Sequence, residues 1–292
     1  MISVQEAFSI LEQNLPALHK VKYSLSQARK HILAESLLSP ISMPPFRQSA
    51  MDGYALCLHD DLAYEIVGEI KAGDSHLVEL TPGQAVKIFT GAAIPDSAEA
   101  VIQIEKVTAN GTQLLLDELV QPETNVRPIG EQISAGDLAL EKGTLLNSAA
   151  IGFLAGLGFT HVKVYQKPKV GIVVTGNELS KPGTPLEHGK VYESNGIMLH
   201  SALIDTYYDS VTLYEVNDDF ENTKNKLQDA LKDNELVLVS GGISVGDYDF
   251  VARALKELQV QTLFYKVNQK PGKPLFAGKW SSVRNDRTQA DV

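Results

Sequence analysis

The sequence predicts an α/β fold in which a three-layer domain with a parallel-rich sheet is joined to a β-rich domain and an N-terminal helical segment. Beyond Pro168, short apolar runs alternate with stretches of helical spacing, which is the pattern of a parallel sheet covered by helices. Between residues 46 and 140, short apolar runs are separated by turn residues, which indicates a β-rich domain. Residues 3–36 carry apolar side chains at helical spacing.

The first segment, residues 1–45, is predicted to hold two helical pieces. Ser3 and Glu6 have the spacing of a capping box, and Pro16 separates the two pieces. Prolines near residue 45 end the segment, because proline does not fit inside a helix. We expect this segment to pack with a connecting helix and strand at 141–166.

The β-rich domain is assigned to 46–140 and the α/β domain to 167–278. In the first, Asn110-Gly111 between apolar runs predicts a hairpin. A short helix is expected at 148–157, before the second domain. The α/β domain is then predicted to contain, in order, a strand at 170–174, a helix at 193–205, a strand at 210–216, a helix at 220–232, a strand at 236–239, a helix from Phe250 and a strand at 262–267.

Composition excludes several classes of function. The chain has 292 residues, of which 43% are hydrophobic, and its formal net charge of −10 disfavours a sequence-independent nucleic-acid binder. The single cysteine, Cys57, excludes an intrachain disulfide and a multi-cysteine metal site. The start of the chain lacks the features of a signal peptide, and the longest apolar region, 149–159, is too short to span a bilayer. We therefore expect a cytoplasmic protein that contacts neither nucleic acid nor membrane.

The stretch around Ser240-Gly241-Gly242 is the strongest candidate for a binding site. It follows a buried strand, and its two glycines permit a sharp turn and a close approach to a ligand. A strand, a glycine turn and a helix N-terminus together present free backbone N–H groups, which favours phosphate or another oxyanion. Asp247 and Asp249 lie in the same turn, and carboxylates beside an anion site indicate a bridging cation such as Mg²⁺. The alternative is a tight turn whose aspartates cap a helix.

Acidic side chains recur at the ends of three predicted strands. Glu178 follows the first strand, Asp218 and Asp219 follow the second, and the aspartates at 247 and 249 follow the third. Ligands of parallel α/β sheets bind at the carboxyl ends of the strands. The recurrence therefore favours a metal site over three unrelated solvated turns.

Cationic side chains suited to an oxyanion surround a Pro-Gly turn after the last predicted strand. They are Lys266, Lys270 and Lys273. In the β-rich domain, the planar guanidinium of Arg127 suits a carboxylate or phosphate. A solvated basic turn and a surface ion pair are the respective alternatives.

Two loops of the β-rich domain place a polar side chain directly before a glycine. Asp52 precedes Gly53 at the start of a strand, and Thr90 precedes Gly91 just after one. Taken alone, both loops fit ordinary turns.

Taken together, these residues resemble the molybdopterin molybdenumtransferase family, known as MoeA in bacteria and as the E domain of gephyrin in animals. The resemblance runs from the N-terminus to about Gly278. It rests on the ordered motifs Ser49-Ala-Met-Asp-Gly-Tyr-Ala55, Phe89-Thr-Gly-Ala92, Asn125-Val-Arg127 with Gly130-Glu131, Thr175-Gly-Asn-Glu-Leu179, Ser240-Gly-Gly-Ile-Ser-Val-Gly-Asp-Tyr-Asp249 and Lys270-Pro-Gly-Lys-Pro274.

The resemblance implies that the α/β domain binds molybdopterin. It implies insertion of molybdate into adenylylated molybdopterin with release of AMP, a Mg²⁺-type ion, and contact with the molybdopterin adenylyltransferase. It also implies a homodimer whose site lies between the α/β domain of one subunit and the β domain of the other.

Carried onto matching positions, the resemblance implies roles for individual residues. The implied catalytic residues are Asp52, Thr90, Glu178, Asp218, Asp249, Lys266 and Lys270. Of these, Glu178, Asp218 and Asp249 would bind the metal. The implied cofactor-binding residues are Arg127, Ser240, Gly241, Gly242, Ser244, Asp247 and Lys273.

The sequence departs from the family pattern at two places. Gln132 stands where the family commonly has an acid. After Gly278 the family continues into a C-terminal β domain, whereas residues 279–292 have no periodicity and are predicted to be an aberrant, disordered tail. Because the last domain of the family is missing, a noncatalytic pterin-binding scaffold is one alternative function. A molybdopterin adenylyltransferase is another, although the small adenylyltransferases lack the β-rich domain of 46–140.

Overall fold

The structure, a computed structural model, describes residues 1–75, 78–217, 219–242 and 250–281. The chain divides into two compact units, one of Val21–Val164 and one of Met1–Lys20 with Tyr165–Val292. We call them the β unit and the α/β unit. Within the described ranges, no helix is both long enough and apolar enough to cross a membrane.

The described residues form six α-helices and a larger number of short strands. The helices are α1 (Val4–Asn14), α2 (Leu25–Ala28), α3 (Ser148–Gly156), α4 (Asn195–Asp205), α5 (Phe220–Asp233) and α6 (Phe250–Glu257). The strands are β1 (Lys20–Ser24), β2 (Leu37–Leu38), β3 (Gln48–Ser49), β4 (Gly53–Leu56), β5 (Ala63–Ile70), β6 (Gln84–Ile88), β7 (Ala100–Gln103), β8 (Val107–Asn110), β9 (Gln113–Leu116), β10 (Val126–Arg127), β11 (Leu138–Leu140), β12 (His161–Tyr165), β13 (Val170–Thr175), β14 (Leu179–Ser180), β15 (Val191–Tyr192), β16 (Val211–Val216), β17 (Leu236–Ser240), β18 (Gln261–Tyr265) and β19 (Phe276–Lys279).

The β unit is built on a six-stranded sheet with the order β7-β4-β6-β5-β9-β8. The β5–β6 pair is parallel, and the other neighbouring pairs are antiparallel. The hairpin predicted at Asn110-Gly111 is confirmed, because β8 and β9 pair on either side of it. Alternate residues of β4 enter two different hydrophobic clusters, Ala55 on one face and Tyr54 on the other, so this strand is buried on both faces.

The N-terminal helix begins as predicted. The Ser3 hydroxyl accepts a hydrogen bond from the Glu6 N–H at 3.1 Å, and the Glu6 carboxylate accepts one from the Ser3 N–H at 2.7 Å. This capping box satisfies N–H groups that the first turn leaves without helical partners. The helix α1 ends just before Pro16, as expected, and its Ala7 packs against Phe264 and Val267 of the α/β unit.

The second predicted helical piece, toward residue 36, is wrong. Only one turn, α2, is helical, and it follows the strand β1. After it, the N–H groups of Leu33 and Ala34 donate to the carbonyls of Thr144 and Lys163, each at 2.9 Å. Extended pairing with a distant segment, and the complete burial of Leu33, therefore override the helical spacing of the sequence. The helix predicted at 148–157 is confirmed as α3.

The α/β unit contains a three-stranded parallel sheet with the order β16-β13-β17. All six residues of the central strand β13 are buried. Val173 faces the core that contains α5 and α6, whereas Val174 faces α4, where Gly196 permits close packing. Helices on both faces of a parallel sheet give the three layers that the sequence predicts. The strands β18 and β19 form a separate antiparallel hairpin.

The core of the α/β unit depends on Leu227, whose side chain is fully buried among α5, α6 and the sheet. We expect Leu227→Ala to lower the free energy of unfolding by about 2–5 kcal/mol, through lost burial and the cavity left behind. As a control, Leu186→Ala removes a side chain that is 47% exposed, and we expect a change below about 0.5 kcal/mol.

Urea unfolding measures both variants through the fluorescence of the single tryptophan, Trp280. Its indole N–H donates to the Leu258 carbonyl at 3.1 Å in the same unit, so it reports on this core. Equal losses of stability in the two variants would contradict the assignment of this core.

Candidate functional site

In the β unit, Asp52 and Thr90 are joined by two hydrogen bonds. One carboxylate oxygen of Asp52 accepts from the Thr90 N–H at 2.7 Å and from the Thr90 hydroxyl at 2.8 Å. These bonds, the backbone bond first, hold the pKa of Asp52 below its ordinary value because they stabilise the ionised form. Both side chains are exposed, so the second carboxylate oxygen of Asp52 faces solvent.

The glycines that follow these two residues explain how the loops approach each other. A Cβ at Gly53 would lie 1.8 Å from the carbonyl oxygen of Ile102 on the neighbouring strand β7, so only glycine fits there. Gly91 has a φ of 85°, in the left-handed region that glycine adopts without strain, and its N–H donates to the Ser49 carbonyl at 2.9 Å. The two loops are therefore tied together by their backbones.

Arg127 belongs to the same surface. It lies in β10, which pairs antiparallel with β3, and the N–H of Ala50 donates to the carbonyl of Asn125 at 3.0 Å. The guanidinium is exposed and forms no salt bridge within the described ranges, so the surface ion pair considered from the sequence is not observed. Three predicted site residues of the β unit thus come from segments that are hydrogen-bonded to one another.

An open cavity of about 470 Å³ lies at this surface. Asp52 and Thr90 line it together with Met51, Gln103 and Glu105. Sequence reasoning missed Gln103 and Glu105, because they come near Asp52 through contacts between distant segments. Gly53 lies opposite Gln103 in the pairing of β4 with β7, and the Ile104 N–H donates to the Asp52 carbonyl at 3.1 Å. No local motif predicts that pairing.

In the α/β unit, the parallel sheet brings three predicted strand ends to one edge. Glu178 follows β13, Asp219 follows β16 and Gly241 follows β17. The Asp219 carboxylate accepts a hydrogen bond from the Asn222 N–H at 2.9 Å and is the N-cap of α5. The Asp219 side chain therefore caps a helix, as the alternative interpretation of these strand-end acids predicts.

Glu178 is different, because its carboxylate has no hydrogen-bond or salt-bridge partner among the described residues. Both carboxylate oxygens lie 2.8 Å from the position that a Cβ at Gly176 would occupy, so the side chain folds back over the end of β13. A side chain longer than glycine at 176 would displace it. Glu178 is exposed and thus available to a ligand.

The turn at Ser240-Gly241-Gly242 requires its glycines. Gly241 has a φ of 98°, and a Cβ there would lie 2.2 Å from the Thr175 carbonyl oxygen at the end of β13. The Ser240 hydroxyl accepts a hydrogen bond from the Asn195 side-chain amide at 2.9 Å. Asn195, the first residue of α4, is a positioning residue that sequence reasoning missed, because its contact lies on a strand far away in sequence.

The predicted lysines lie in the segment that joins β18 to β19. Lys266 follows β18 with a φ of 68°, and its ammonium lies 5.0 Å from the centre of the Tyr265 ring. Lys270 and Lys273 are exposed. Within the described ranges, no salt bridge joins these lysines to Glu178, and β18 does not pair with the parallel sheet.

Four predicted site residues, Asp218, Ser244, Asp247 and Asp249, lie outside the described residues. Two of the three predicted metal ligands are among them. In the part of the chain that the structure describes, no group of three or more Asp, Glu, His or Cys side chains is arranged to bind a metal ion.

Comparison with known proteins identifies two family models along the chain. Residues 2–158 match the MoeA N-terminal region (domain I and II), and residues 171–291 match a model described as "probable molybdopterin binding domain". The gap between the two matches, 159–170, contains Tyr165, where the longer segment of the α/β unit begins.

Individual relatives agree with these matches. A molybdopterin molybdenumtransferase from Haemophilus influenzae is 37% identical over 96% of this chain and 70% of its own length. A protein of the same name from Staphylococcus epidermidis is 35% identical over 93% of this chain and 67% of its own length. The crystal structure of a MoeA protein from Pyrococcus horikoshii superposes with a TM-score of 0.79 at 29% identity, covering 95% of this chain and 72% of that one. The chain therefore belongs to the MoeA family, that of the molybdopterin molybdenumtransferases.

Proposed function

We propose that this chain inserts molybdate into adenylylated molybdopterin, releasing AMP and the finished molybdenum cofactor, in a reaction that depends on Mg²⁺. The observation that carries the proposal is the unpartnered carboxylate of Glu178, at the carboxyl end of the central parallel strand and beside the turn at Gly241. A free carboxylate next to exposed backbone at a strand end suits a cation-bridged phosphate. The name of the bacterial relatives, molybdopterin molybdenumtransferase, supports molybdopterin as the pterin and molybdenum as the transferred group.

The Mg²⁺ ion is assigned to Glu178, Asp218 and Asp249, since carboxylate oxygens are the ligands that it prefers. When bound, the ion would neutralise charge on the phosphoanhydride of the substrate. Lys266 and Lys270 are assigned to molybdate or to terminal phosphate oxygens. No covalent intermediate with the enzyme is required, because positioning and charge stabilisation suffice for this class of reaction.

The phosphate is assigned to the backbone N–H groups of Gly241 and Gly242, at the start of the turn, together with that of Ser244, which lies outside the described residues. The hydrogen bond from Asn195 to Ser240 supports this role, because it restrains the residue from which the turn begins. Asp247, Lys273 and Arg127 complete the assigned binding residues.

Asp52 and Thr90 are proposed to act in trans, in a homodimer where they approach the α/β unit of the other subunit. The hydrogen-bonded pair supports a role at a site, because an exposed carboxylate anchored through one oxygen keeps its other oxygen oriented. The molybdopterin adenylyltransferase is a proposed partner, since it would deliver the adenylylated substrate. The proposed compartment is the cytoplasm.

The function is tested by incubating the chain with adenylylated molybdopterin, Mg²⁺ and molybdate, beside a sample given molybdopterin and ATP. We expect AMP release and cofactor formation in the first sample and no pyrophosphate in the second. Pyrophosphate release would instead identify an adenylyltransferase, and tight pterin binding without turnover would identify a noncatalytic protein.

The same assay tests the metal assignment through Glu178→Gln. Loss of one carboxylate ligand should slow AMP release by about 100-fold, the size of effect that follows loss of one charge-stabilising group, and should raise the Mg²⁺ concentration needed for half-maximal rate. Glu187→Gln, which changes another exposed acid of the same unit, is the matched control. AMP release by Glu178→Gln at the wild-type rate would refute the assignment.

The anchoring of Asp52 is tested through its pKa. We expect the Asp52 carboxyl to titrate below the ordinary value of 3.8, so that its bonds to Thr90 are present above that pH and are lost as the pH falls through the lowered pKa. In Thr90→Val the hydroxyl donor is lost while the backbone donor remains, so the pKa should rise part of the way. Carbon-13 NMR of the carboxyl groups measures it, with Thr108→Val as the control that leaves the pKa unchanged.

The proposed arrangement in trans is tested by mixing two variants that are each expected to be strongly impaired, Glu178→Gln and Asp52→Asn. If each site takes Glu178 from one subunit and Asp52 from the other, a mixed dimer retains one intact site. Random reassociation should then restore about one quarter of the wild-type activity. Activity that stays at the level of the separate variants would place both residues in the same subunit's site or exclude the dimer.

A further inference from the structure

A second depression, of about 570 Å³, lies on the six-stranded sheet of the β unit. Its walls include Tyr54, Ile66, Gly68, Glu69, Lys87 and Gly111, and none of these belongs to the site proposed above. In this sheet Tyr54 of β4 is directly opposite Lys87 of β6, and Lys87 is directly opposite Glu69 of β5. Residues directly opposite one another project to the same face, so the three polar side chains lie side by side.

Tyr54 is the unusual member of this group. Its side chain is only 5% exposed, yet its hydroxyl has no hydrogen-bond partner among the described residues. Among the described residues, Thr223 Oγ1 is the fully buried side-chain atom without a hydrogen-bond partner. The Tyr54 hydroxyl is therefore not fully buried, and it reaches the depression that Tyr54 lines. A hydroxyl that borders a cavity and has no partner within the protein is free to bind a ligand.

Lys87 adds positive charge beside that hydroxyl. Its ammonium lies 3.4 Å from one carboxylate oxygen of Glu69, and the ammonium of Lys71 lies 3.2 Å from the other oxygen. One carboxylate is therefore shared between two lysines, which leaves a net positive charge at this place on an acidic protein. A lysine ammonium has three N–H donors, and Glu69 occupies one of those of Lys87.

Two apolar side chains also line the depression, at an irregularity in β5. The pairing of β5 with β6 shifts between Ile66 and Glu69, so that Val67 and Gly68 together lie opposite Val86. Such a bulge bends the strand and changes the direction of its side chains. Val67 is 41% exposed and lines the depression with Ile66.

We propose that this depression binds a small molecule carrying a carboxylate or phosphate on an apolar body. The oxyanion accepts hydrogen bonds from the Tyr54 hydroxyl and the Lys87 ammonium, and the apolar body lies against Ile66 and Val67. The proposal uses no residue of the molybdenumtransferase site and holds whether or not that function is correct.

The test is a titration of the full chain with phenyl phosphate and with benzoate, followed by two-dimensional amide NMR. The amides of Gly68 and Gly111 line the depression and report occupancy. We expect saturable shifts of both glycines, with benzyl alcohol and inorganic phosphate binding more weakly because each lacks one half of the ligand. The stronger of the two anionic probes identifies which oxyanion the site prefers.

Two variants assign the contacts. Tyr54→Phe removes only the hydroxyl and should weaken phenyl phosphate binding about 10- to 100-fold, the loss of one hydrogen bond to a charged group. Lys87→Gln should remove the preference for the anionic probes over benzyl alcohol. Tyr64→Phe is the matched control, since Tyr64 is equally buried at 5% in the same sheet but lies outside the depression.

The proposal is overturned if Gly68 and Gly111 do not shift with either anion, or if Tyr54→Phe and Tyr64→Phe bind equally well. The dispersion of the amide spectrum shows whether each variant is folded. If Tyr54→Phe is not folded, the half-exposed Lys87→Gln decides the question by itself.

Discussion

The parallel hydrogen bonding of β13 with a strand on each side is the constraint on which the α/β unit depends. Val170 is paired with Val211 on one side and with Leu236 on the other, and this register continues to the end of the strand. Because the three strands run in one direction, their carboxyl ends meet at one edge, and the segments of Glu178, Asp219 and Gly241 must begin there. The contact of Gly241 with Thr175 adds a second restraint at that edge, and it is one that tolerates no side chain.

In the β unit the equivalent element is β4, which lies between β6 and β7 and is buried on both faces. Its start positions Asp52 beside Thr90, and Tyr54 follows on the same strand over the second depression. One strand thus supports two surfaces of different chemistry. The first presents a carboxylate with a lowered pKa, and the second presents a phenol and an ammonium.

Local features of the fold could be predicted from the sequence, whereas features set by distant pairing could not. The capping box of Ser3 and Glu6 and the hairpin at Asn110-Gly111 are encoded by neighbouring residues, and both predictions are correct. The stretch near Leu33 has helical spacing, but its backbone pairs with residues more than a hundred positions away, so that prediction failed. Gln103 and Asn195 were missed for the same physical reason. Each comes near its site through contact with a segment that is distant in sequence, β4 for Gln103 and the end of β17 for Asn195.

The bond between Thr90 and Asp52 has a consequence for how position 90 can change over time. Of the two bonds, the one from the Thr90 N–H lowers the pKa of the Asp52 carboxylate more. Every amino acid except proline supplies this N–H group. A substitution that removes the hydroxyl of residue 90 would therefore leave the backbone hydrogen bond that orients the Asp52 carboxylate. The hydroxyl of residue 90 adds a second hydrogen bond to a carboxylate that the main chain already orients.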